Sequence, residues 1–337
     1  MKFVKRTDDT IHLEALFQGI IKGNSAQLSK AITLIESNAS RHFTEAQKLI
    51  QKILPYTKQS IRIGISGVPG AGKSTFIEAL GLTLCNQGHR VAVLAIDPSS
   101  SLSGGSILGD KTRMEQLSSH PLAFIRPSPS EGVLGGVHRK TRESMLLCEA
   151  AGFNVIIVET VGVGQSEAVV RAMTDIFLML VITGAGDELQ GMKKGILELV
   201  DAIIVNKADG DNKIQAELTK NEYNRILHFL QPATKGWQTE AYTCSSILNE
   251  GIEEIWGMIN LFIKSAQETG VFEERRQEQL KEWMKQSLTN QLLHLFFTDE
   301  LIKQHLPLLE KEILTGEKTV STAVMEAIEL FKSSQRK

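Results

Sequence analysis

The chain has 337 residues, of which 42% are hydrophobic and 23% charged, an ordinary composition for a globular protein with a sizeable core. Its formal net charge of −2 gives no electrostatic basis for general binding to nucleic acid or to a membrane surface. The N-terminus lacks the apolar run of a signal peptide, and the longest apolar run (176–182) is too short to span a bilayer. The 3 cysteines show neither zinc nor disulfide spacing. The expected location is therefore a reducing cytoplasm.

The first part of the chain is predicted to be helical. Residues 11–54 have a helical pattern, in which Asn24 and Ser25 can cap a helix with apolar side chains on one face. Residues 58–60 form a short polar linker. We therefore predict an N-terminal helical segment over residues 1–57.

The central part, residues 58–267, alternates short apolar runs with helical stretches. Most runs are continuous rather than alternating, as in parallel strands that are covered on both faces. The predicted strands are 61–66, 91–96, 123–126, 155–159, 176–182, 202–206 and 240–244, and the predicted helices lie near 73–87, 137–151, 165–173, 191–199, 213–230 and 250–267. This order predicts an α/β fold with a doubly wound, mostly parallel sheet.

The last part, residues 268–337, is predicted to form a helical arm without strands. Apolar residues recur there at the spacing of one helical stripe. The stripe comprises Leu280, Trp283, Met284, Leu288, Leu292 and Leu295. The spacing is compatible both with a helix packed on its own domain and with an arm that pairs with a second subunit.

The segment Gly67–Ser74 matches G-x-x-x-x-G-K-S between a predicted strand and a predicted helix, which is the context of a P-loop. Its glycines let backbone N–H groups turn toward phosphates, and the helix N-terminus adds a positive dipole. Lys73 is expected to reach the β- and γ-phosphates, and Ser74 to coordinate Mg²⁺. The predicted nucleotide-binding residues here are Gly67, Pro69, Gly70, Ala71, Gly72, Lys73, Ser74 and Thr75.

Acidic residues near strand ends are candidates for the magnesium site. Glu159 ends a predicted strand, and Gly162 follows three residues later, which gives the D-x-x-G arrangement of GTPases with Glu in place of Asp. Glu159 can hold a metal-bound water, and the N–H of Gly162 can contact the γ-phosphate. Asp97 and Asp110 lie on either side of a stretch rich in Gly and Ser, although each alone is also compatible with a cap or a turn.

The tetrapeptide Asn206–Asp209 matches N-K-x-D at the end of a predicted strand. Asp209 can accept hydrogen bonds from both N1–H and the exocyclic amine of guanine, a pair of donors that adenine lacks. Lys207 can lie along the base, Asn206 can brace the loop, and a backbone N–H at Ser245 or Ser246 can contact guanine O6. Together with the P-loop, this motif predicts a Mg²⁺-dependent GTPase that binds GTP and GDP.

Two positions depart from the small regulatory GTPases. Val163 stands where those proteins carry the glutamine that orients the attacking water, and Pro69 replaces a P-loop glycine. We therefore expect slow hydrolysis by the protein alone and a partner that reorganises the site. The glycine-rich segment Gly184–Gly195 is a candidate for the mobile catalytic element, and it is also compatible with a plain strand-to-helix connection.

Six motifs together resemble the MeaB/ArgK family of methylmalonyl-CoA mutase-associated GTPases, in the SIMIBI class of P-loop proteins. They are G-V-P-G-A-G-K-S-T at 67–75, I-D-P-S-S at 96–100, G-D-K-T-R-M at 109–114, E-T-V-G-V-G-Q-S-E at 159–167, G-D-E-L-Q-G-M-K-K-G at 186–195 and N-K-A-D at 206–209. The resemblance extends over nearly the whole chain. The motifs at 159–167 and 186–195 are the most specific, because generic GTPases lack them.

The resemblance implies a GTP-driven chaperone for an adenosylcobalamin-dependent acyl-CoA mutase, which gates cofactor delivery from a cobalamin adenosyltransferase and protects the mutase. It also implies a homodimer with its contact in the C-terminal helices. Asp97, Asp110 and Glu159 would surround Mg²⁺. Lys193 would move toward the nucleotide when the mutase is bound, and the implied catalytic residues are Lys73, Asp110, Glu159 and Lys193.

Other functions remain open at this point. The family also carries an older label as a kinase linked to lysine, arginine and ornithine transport, and the P-loop would serve a phosphotransferase equally well. A metallochaperone role is disfavoured, because the 8 histidines are dispersed and the cysteines form no C-x-C or C-x-x-C motif. A nucleotide-dependent assembly factor with incidental hydrolysis is a further alternative.

Overall fold

The structure, a computed structural model, describes residues 12–37, 39–97, 114–129, 134–160, 167–184 and 194–335. The chain divides into two compact units, Met1–Gln279 and Leu280–Lys337. Helices are α1 (Leu13–Ile21), α2 (Ser25–Glu36), α3 (Ser40–Ile53), α4 (Lys73–Asn86), α5 (Glu115–Ser119), α6 (Leu134–Ala150), α7 (Glu167–Arg171), α8 (Lys213–Leu227), α9 (Ile252–Glu268), α10 (Val271–Thr298), α11 (Glu300–Leu314) and α12 (Val320–Ser334). Strands are β1 (Ile61–Gly67), β2 (Val91–Asp97), β3 (Ala123–Pro129), β4 (Val155–Thr160), β5 (Ile176–Val181), β6 (Ala202–Val205) and β7 (Glu240–Thr243).

The strands form one seven-stranded sheet in the order β3-β2-β4-β1-β5-β6-β7. Each pair of neighbours is parallel, so all seven carboxyl ends lie at one edge. From β1 the chain first builds the β2–β3 side and then crosses to the β5–β7 side, which puts β1 at the switch in strand order. Ligands of such sheets bind beyond the carboxyl ends at this switch.

Helices cover both faces of the sheet, as the continuous apolar runs predict. Alternate strand residues such as Ile156 and Val158 pack in a core with α1, α2, α3, α6 and α8. The residues between them, such as Val155 and Ile157, pack in a second core with α4, α5 and α9. The doubly wound α/β prediction is therefore confirmed, and the sheet is entirely parallel rather than mostly so.

The predicted strands agree closely with the observed ones, but the helix predicted near residues 191–199 is wrong over 194–199, the part of it that the structure describes. Near residues 191–199 the described part holds only a 3₁₀ turn at Lys194–Ile196, followed by turn residues. Gly195 and the β-branched Ile196 and Val200 are poor helix formers, and β6 begins directly after this stretch. These residue types favour the 3₁₀ turn and the following turn residues over a regular helix at 194–199.

The second unit is built from the end of α10 with α11 and α12. Leu309, Ala323 and Ala327 form its small core, against which Phe296 and Ile313 pack. Five members of the predicted stripe, Leu280, Met284, Leu288, Leu292 and Leu295, are between 48% and 61% exposed. Within the described residues, no helix combines the length and the apolar character that crossing a bilayer requires.

Candidate nucleotide-binding site

The P-loop connects β1 to α4 at the carboxyl edge of the sheet, as predicted. Gly67 ends β1 so close to β5 that a Cβ there would lie 2.5 Å from the Leu180 carbonyl oxygen. Pro69 and Gly70 are exposed, Ala71 is buried, and Ser74 and Thr75 lie in the first turn of α4. The loop thus presents backbone groups, the start of α4 and the Ser74 side chain at one place, where they can surround phosphate.

Lys73, the first residue of α4, is directed back across the loop. Its Nζ donates hydrogen bonds to the Gly67 oxygen at 2.7 Å and to the Val68 oxygen at 3.4 Å. Burial lowers the pKa of the Lys73 ammonium, and the carboxylates of Glu159 and Glu167 act in the opposite direction. The ammonium is bonded to neutral oxygens, so its charge is available to the phosphates of a nucleotide.

Glu159 lies beside the P-loop strand, near the end of β4. It pairs in register with Ile65 of β1 and is buried. The next residue, Thr160, donates a hydrogen bond from its hydroxyl to the Ser66 hydroxyl at 2.8 Å, which joins the ends of β4 and β1. The predicted acid is thus held next to the phosphate loop, where its charge acts on Lys73.

The Asn206 side chain connects the N-K-x-D loop to the P-loop. Its Nδ2 donates to the Ala71 oxygen at 2.9 Å, and its Oδ1 accepts from the Ser246 hydroxyl at 2.7 Å. Because Asn206 is buried and bonded on both sides of its amide, its orientation is fixed. The predicted bracing role agrees with this geometry.

Asp209 is oriented by a serine from the next strand end. The Ser245 hydroxyl donates to Asp209 Oδ2 at 2.6 Å, and Ala208 N donates to the Cys244 oxygen at 2.9 Å. Asp209 is half-buried, whereas Lys207 is exposed. The structure therefore brings together the predicted base-binding residues Asn206, Lys207, Asp209, Ser245 and Ser246 around one loop.

Some predicted site residues lie outside the described part of the chain. They are Asp110, Gly162 and Lys193, together with the side chain of Asp97 at the end of β2. Val163, one of the two positions on which the expectation of slow hydrolysis rests, is also outside. Their proposed roles stay predictions. Among the residues that are described, no group of three or more His, Cys, Asp and Glu side chains could hold a metal ion.

Three residues of this site had no role in the sequence-based prediction. Glu167, the first residue of α7, is buried and acts electrostatically on Lys73. Thr183 follows β5 and contacts Asn212, which in turn contacts the N-K-x-D loop. Glu167 belongs to the 159–167 motif and could have been suspected from it, whereas Thr183 and Asn212 carry no local signal.

A P-loop after β1 and an N-K-x-D loop after β6, on a parallel sheet with helices on both faces, define a P-loop GTPase. The chain matches the family described as "Methylmalonyl Co-A mutase-associated GTPase MeaB" over residues 28–300. The match covers most of the chain, and the protein belongs to this family.

Similar proteins agree with this assignment. GTPase ArgK of Escherichia coli is 47% identical over 83% of this chain and 84% of its own length. The mouse protein "Methylmalonic aciduria type A homolog, mitochondrial" is 42% identical over 95% of this chain and 80% of its own. A solved structure described as a "LAO/AO transport system kinase" has a TM-score of 0.75 and 36% identity, over 95% of this chain and 97% of that one.

Proposed function

We propose that this GTPase is a chaperone of an adenosylcobalamin-dependent acyl-CoA mutase, most simply methylmalonyl-CoA mutase. The observation that carries the proposal is the family match over residues 28–300, whose description names that mutase, on a chain with a complete P-loop and N-K-x-D loop. The name of the mouse relative, which refers to methylmalonic aciduria, supports it. A GTP-dependent gate on cofactor loading, with a cobalamin adenosyltransferase as a further partner, is the form of chaperone activity that we propose.

Magnesium fits the oxygen donors beside the P-loop. The Ser74 hydroxyl at the start of α4 and the buried Glu159 carboxylate near the end of β4 are hard ligands of the kind Mg²⁺ prefers. When bound, the ion would supply charge neutralisation at the phosphates. We propose that Asp97 and Asp110 complete this acidic set, and that the Gly162 N–H contacts the γ-phosphate.

Different residues of the chain would bind the phosphates and the base of the nucleotide. Lys73 would bring its ammonium to the β- and γ-phosphates, and the N-terminal amides of α4 would donate to phosphate oxygens. Asn206 would hold the base loop against the P-loop, while Asp209 would accept from N1–H and the amine of guanine. These contacts bind and orient GTP, but they provide no group that orients the attacking water.

We propose that the mutase partner completes the hydrolytic site. Val163 has no polar group with which to hold a water, and Pro69 stiffens the exposed turn of the P-loop. Lys193, in the Gly186–Gly195 motif, would enter the site when the mutase is bound. Slow turnover alone and faster turnover in the complex follow from this arrangement.

We propose that a second copy of this chain covers the exposed stripe on α10. Its five exposed members recur at intervals of three or four residues, from Leu280 to Leu295, so they lie along one side of the helix. A continuous apolar row of this kind is typical of an interface between helices. Light scattering on the wild-type protein and on Leu288→Glu should give a dimer and a monomer, respectively.

The test of the proposed function is a GTPase assay with candidate acyl-CoA mutases, each either empty or loaded with adenosylcobalamin. We expect phosphate release to be slow for the protein alone and to rise at least tenfold with the correct mutase, as in other partner-completed sites. The Lys193→Ala variant should still bind the mutase but lose the stimulation. Equal rates with and without every mutase tested would contradict the proposal.

The similarity to a LAO/AO transport system kinase favours one alternative, a kinase linked to transport of lysine, arginine or ornithine. The same P-loop would hold the phosphoryl donor for such a reaction. Incubation with γ-labelled GTP and a candidate transport protein separates the two functions. Label on the acceptor would favour the kinase, whereas label only in free phosphate would favour the GTPase chaperone.

A further inference from the structure

The turn that follows the N-K-x-D loop contains an asparagine whose side chain is bonded at both ends. Asn212 Nδ2 donates to the Lys207 oxygen at 2.6 Å, and Asn212 Oδ1 accepts from the Thr183 hydroxyl at 2.6 Å. Asn212 lies outside the N-K-x-D motif, and Thr183 follows a different strand, β5. We propose that Asn212 and Thr183 are positioning residues for guanine recognition, which act by fixing the backbone that carries Asp209.

The backbone that Asn212 holds is in an uncommon conformation. Lys207 has a φ of +61°, in the left-handed region that residues other than glycine rarely occupy. Such a conformation costs on the order of 1–3 kcal/mol and persists only where surrounding contacts enforce it. The hydrogen bond from Asn212 to the Lys207 carbonyl is one such contact, and it acts directly on the strained residue.

The residues on either side of Lys207 are fixed by other contacts. Asn206 N donates to the Val181 oxygen at 2.9 Å, and Ala208 N donates to the Cys244 oxygen at 2.9 Å. These two contacts set where the loop enters and leaves the left-handed residue, but they do not hold its carbonyl. The Asn212 amide supplies that third point of attachment.

Thr183 determines which way the Asn212 amide faces. A threonine hydroxyl that donates to Oδ1 leaves the NH₂ group of the same amide directed at the Lys207 oxygen. The turn itself is closed by Asn212 N, which donates to the Asp209 oxygen at 3.0 Å. Asp209 is therefore held from two sides, by the Asn212 turn on its backbone and by the Ser245 hydroxyl on its carboxylate.

The consequence concerns base choice rather than phosphate binding. If Lys207 relaxes to an ordinary φ, the Asp209 carboxylate moves relative to the base, while the P-loop contacts stay in place. The inference rests on the proposed role of Asp209 in reading guanine. Because that carboxylate meets both N1–H and the exocyclic amine, its displacement costs GDP two hydrogen bonds and inosine diphosphate, which lacks the amine, only one.

The test measures calorimetric affinities for GDP and for inosine diphosphate. In wild-type protein we expect GDP to bind more tightly. In Asn212→Ala and Thr183→Val we expect the preference for GDP to fall by roughly tenfold, the factor that corresponds to one well-placed hydrogen bond. Thr183→Ser keeps the hydroxyl and should keep the preference.

A matched control is available on α8, the helix that begins directly after Asn212. Asn224 Oδ1 accepts from Ala241 N at 2.7 Å, so Asn224→Ala also removes an asparagine contact to backbone, but at the amino end of β7. It should lower the melting temperature without changing the ratio of the two affinities. Melting temperatures of all variants establish that the folded protein is being compared.

Two results would overturn the inference, and they are distinguishable from each other. An unchanged preference in folded Asn212→Ala and Thr183→Val, with a clear preference in the wild type, removes the positioning role alone. The positioning role is also removed if the affinities for GDP and for inosine diphosphate fall by one common factor in these variants. A wild-type protein without preference for GDP removes the role of Asp209 itself, and with it the role proposed for Asn212 and Thr183.

Discussion

The two edges of the seven-stranded sheet hold their charged side chains in opposite ways. At the carboxyl edge, Lys73 is bonded to backbone carbonyls and Asp209 to a serine hydroxyl. At the amino edge, charges are paired with charges. Arg276 meets Asp175 at 2.8 Å, Arg62 meets Glu149 at 2.8 Å, and Arg171 meets Asp201.

This difference separates the edge of the sheet that is proposed to bind the nucleotide from the edge that stabilises the fold. Asp175 and Asp201 are 1% and 0% exposed, respectively, and a buried carboxylate without a partner is strongly destabilising. Pairing neutralises these charges and leaves them nothing to offer a ligand. At the carboxyl edge, the hydrogen bonds that orient Lys73 and Asp209 come from neutral groups, and the carboxylates of Glu159 and Glu167 act on Lys73 in addition. The charges there are thus oriented without direct ion pairs to Lys73 or Asp209 among the described residues, and their Coulombic attraction remains for a nucleotide and its metal ion.

The pairing also links the start of α10 to the base of the sheet. Arg275 and Arg276 lie in the first turns of this helix, and Arg276 donates both to Asp175 and to the Ser60 oxygen at 2.6 Å. Gln279 Nε2 donates to the Thr174 oxygen at 2.9 Å. The start of α10, up to Gln279, is therefore anchored next to β1 and β5, at the edge opposite to the nucleotide site.

The largest effect is expected from breaking an ion pair at the amino edge. Arg276→Met leaves the buried Asp175 carboxylate without its bidentate partner and should lower the free energy of unfolding by about 3–5 kcal/mol. Urea unfolding measures this loss. GDP affinity of the folded variant should stay at the wild-type value, because the contact lies at the far edge of the sheet.

The control for this variant is an exposed ion pair on α9. Lys264 lies 3.9 Å from Glu268 with both side chains mostly in solvent, so Lys264→Met should cost less than about 1 kcal/mol. Equal losses in the two variants would contradict the supporting role assigned to the amino edge. A fall in GDP affinity with Arg276→Met would contradict the separation of the two edges.

The next largest effect is expected at the carboxyl edge, where a substitution should reduce activity rather than stability. Lys73→Met should reduce GTP hydrolysis by about 10²–10³-fold, because it removes a positioned cation from the phosphates. Stability without nucleotide should change much less than with Arg276→Met, since the hydrogen bonds described for the ammonium go to neutral oxygens and its desolvation offsets part of its attraction to Glu159 and Glu167. Phosphate release and thermal unfolding, measured side by side, check the two halves of this prediction.

Lys48→Met is the matched control, because Lys48 is an exposed lysine in an i,i+3 pair with Glu45 on α3. It should change neither hydrolysis nor stability beyond experimental scatter. If Lys73→Met unfolded the protein as severely as Arg276→Met, the carboxyl edge would also be a structural support. The proposed division between the two edges would then be wrong.

The sequence predicted the carboxyl edge far better than the amino edge, for a physical reason. A P-loop must place its glycines, Lys73 and Ser74 close together in the chain because one turn surrounds the phosphates. N-K-x-D is local for the same reason. The ion pairs at the amino edge join residues that are far apart in the chain, such as Asp175 and Arg276, which are separated by 101 positions. No local sequence pattern predicts such pairs.

The same reasoning accounts for the outcome of the fold prediction. Strands that are buried on both faces, such as β4 and β5, must be continuously apolar, so their positions are evident from the order of apolar residues in the sequence. Apolar residues near 191–199 favour a helix, but over the described residues 194–199 the glycine and the β-branched Ile196 accompany a 3₁₀ turn instead. No sequence signal marks Thr183 and Asn212, because neither belongs to a motif and the two residues in contact are 29 positions apart.

The smallest effect is expected from substitutions of two glycines of the P-loop. Comparing the two variants tests how much the contact between the P-loop and the N-K-x-D loop contributes to stability. Gly70 and Gly72 have φ values of +81° and +84°, so alanine at either position meets a similar backbone penalty of about 1 kcal/mol. A Cβ at Gly70 meets nothing within 4 Å, whereas a Cβ at Gly72 lies 2.8 Å from Asn206 Nδ2. Gly72→Ala must therefore also displace the amide that bonds to Ala71.

We expect Gly72→Ala to lower the free energy of unfolding by about 1 kcal/mol more than Gly70→Ala, the value of one lost hydrogen bond, and to weaken GDP binding further. The cause can be isolated with Asn206→Ala as a common background. There the amide is absent, so the two glycine variants should become equal in stability. A difference that persists in this background would show that the penalty at Gly72 lies in the P-loop backbone and not in its junction with the base loop.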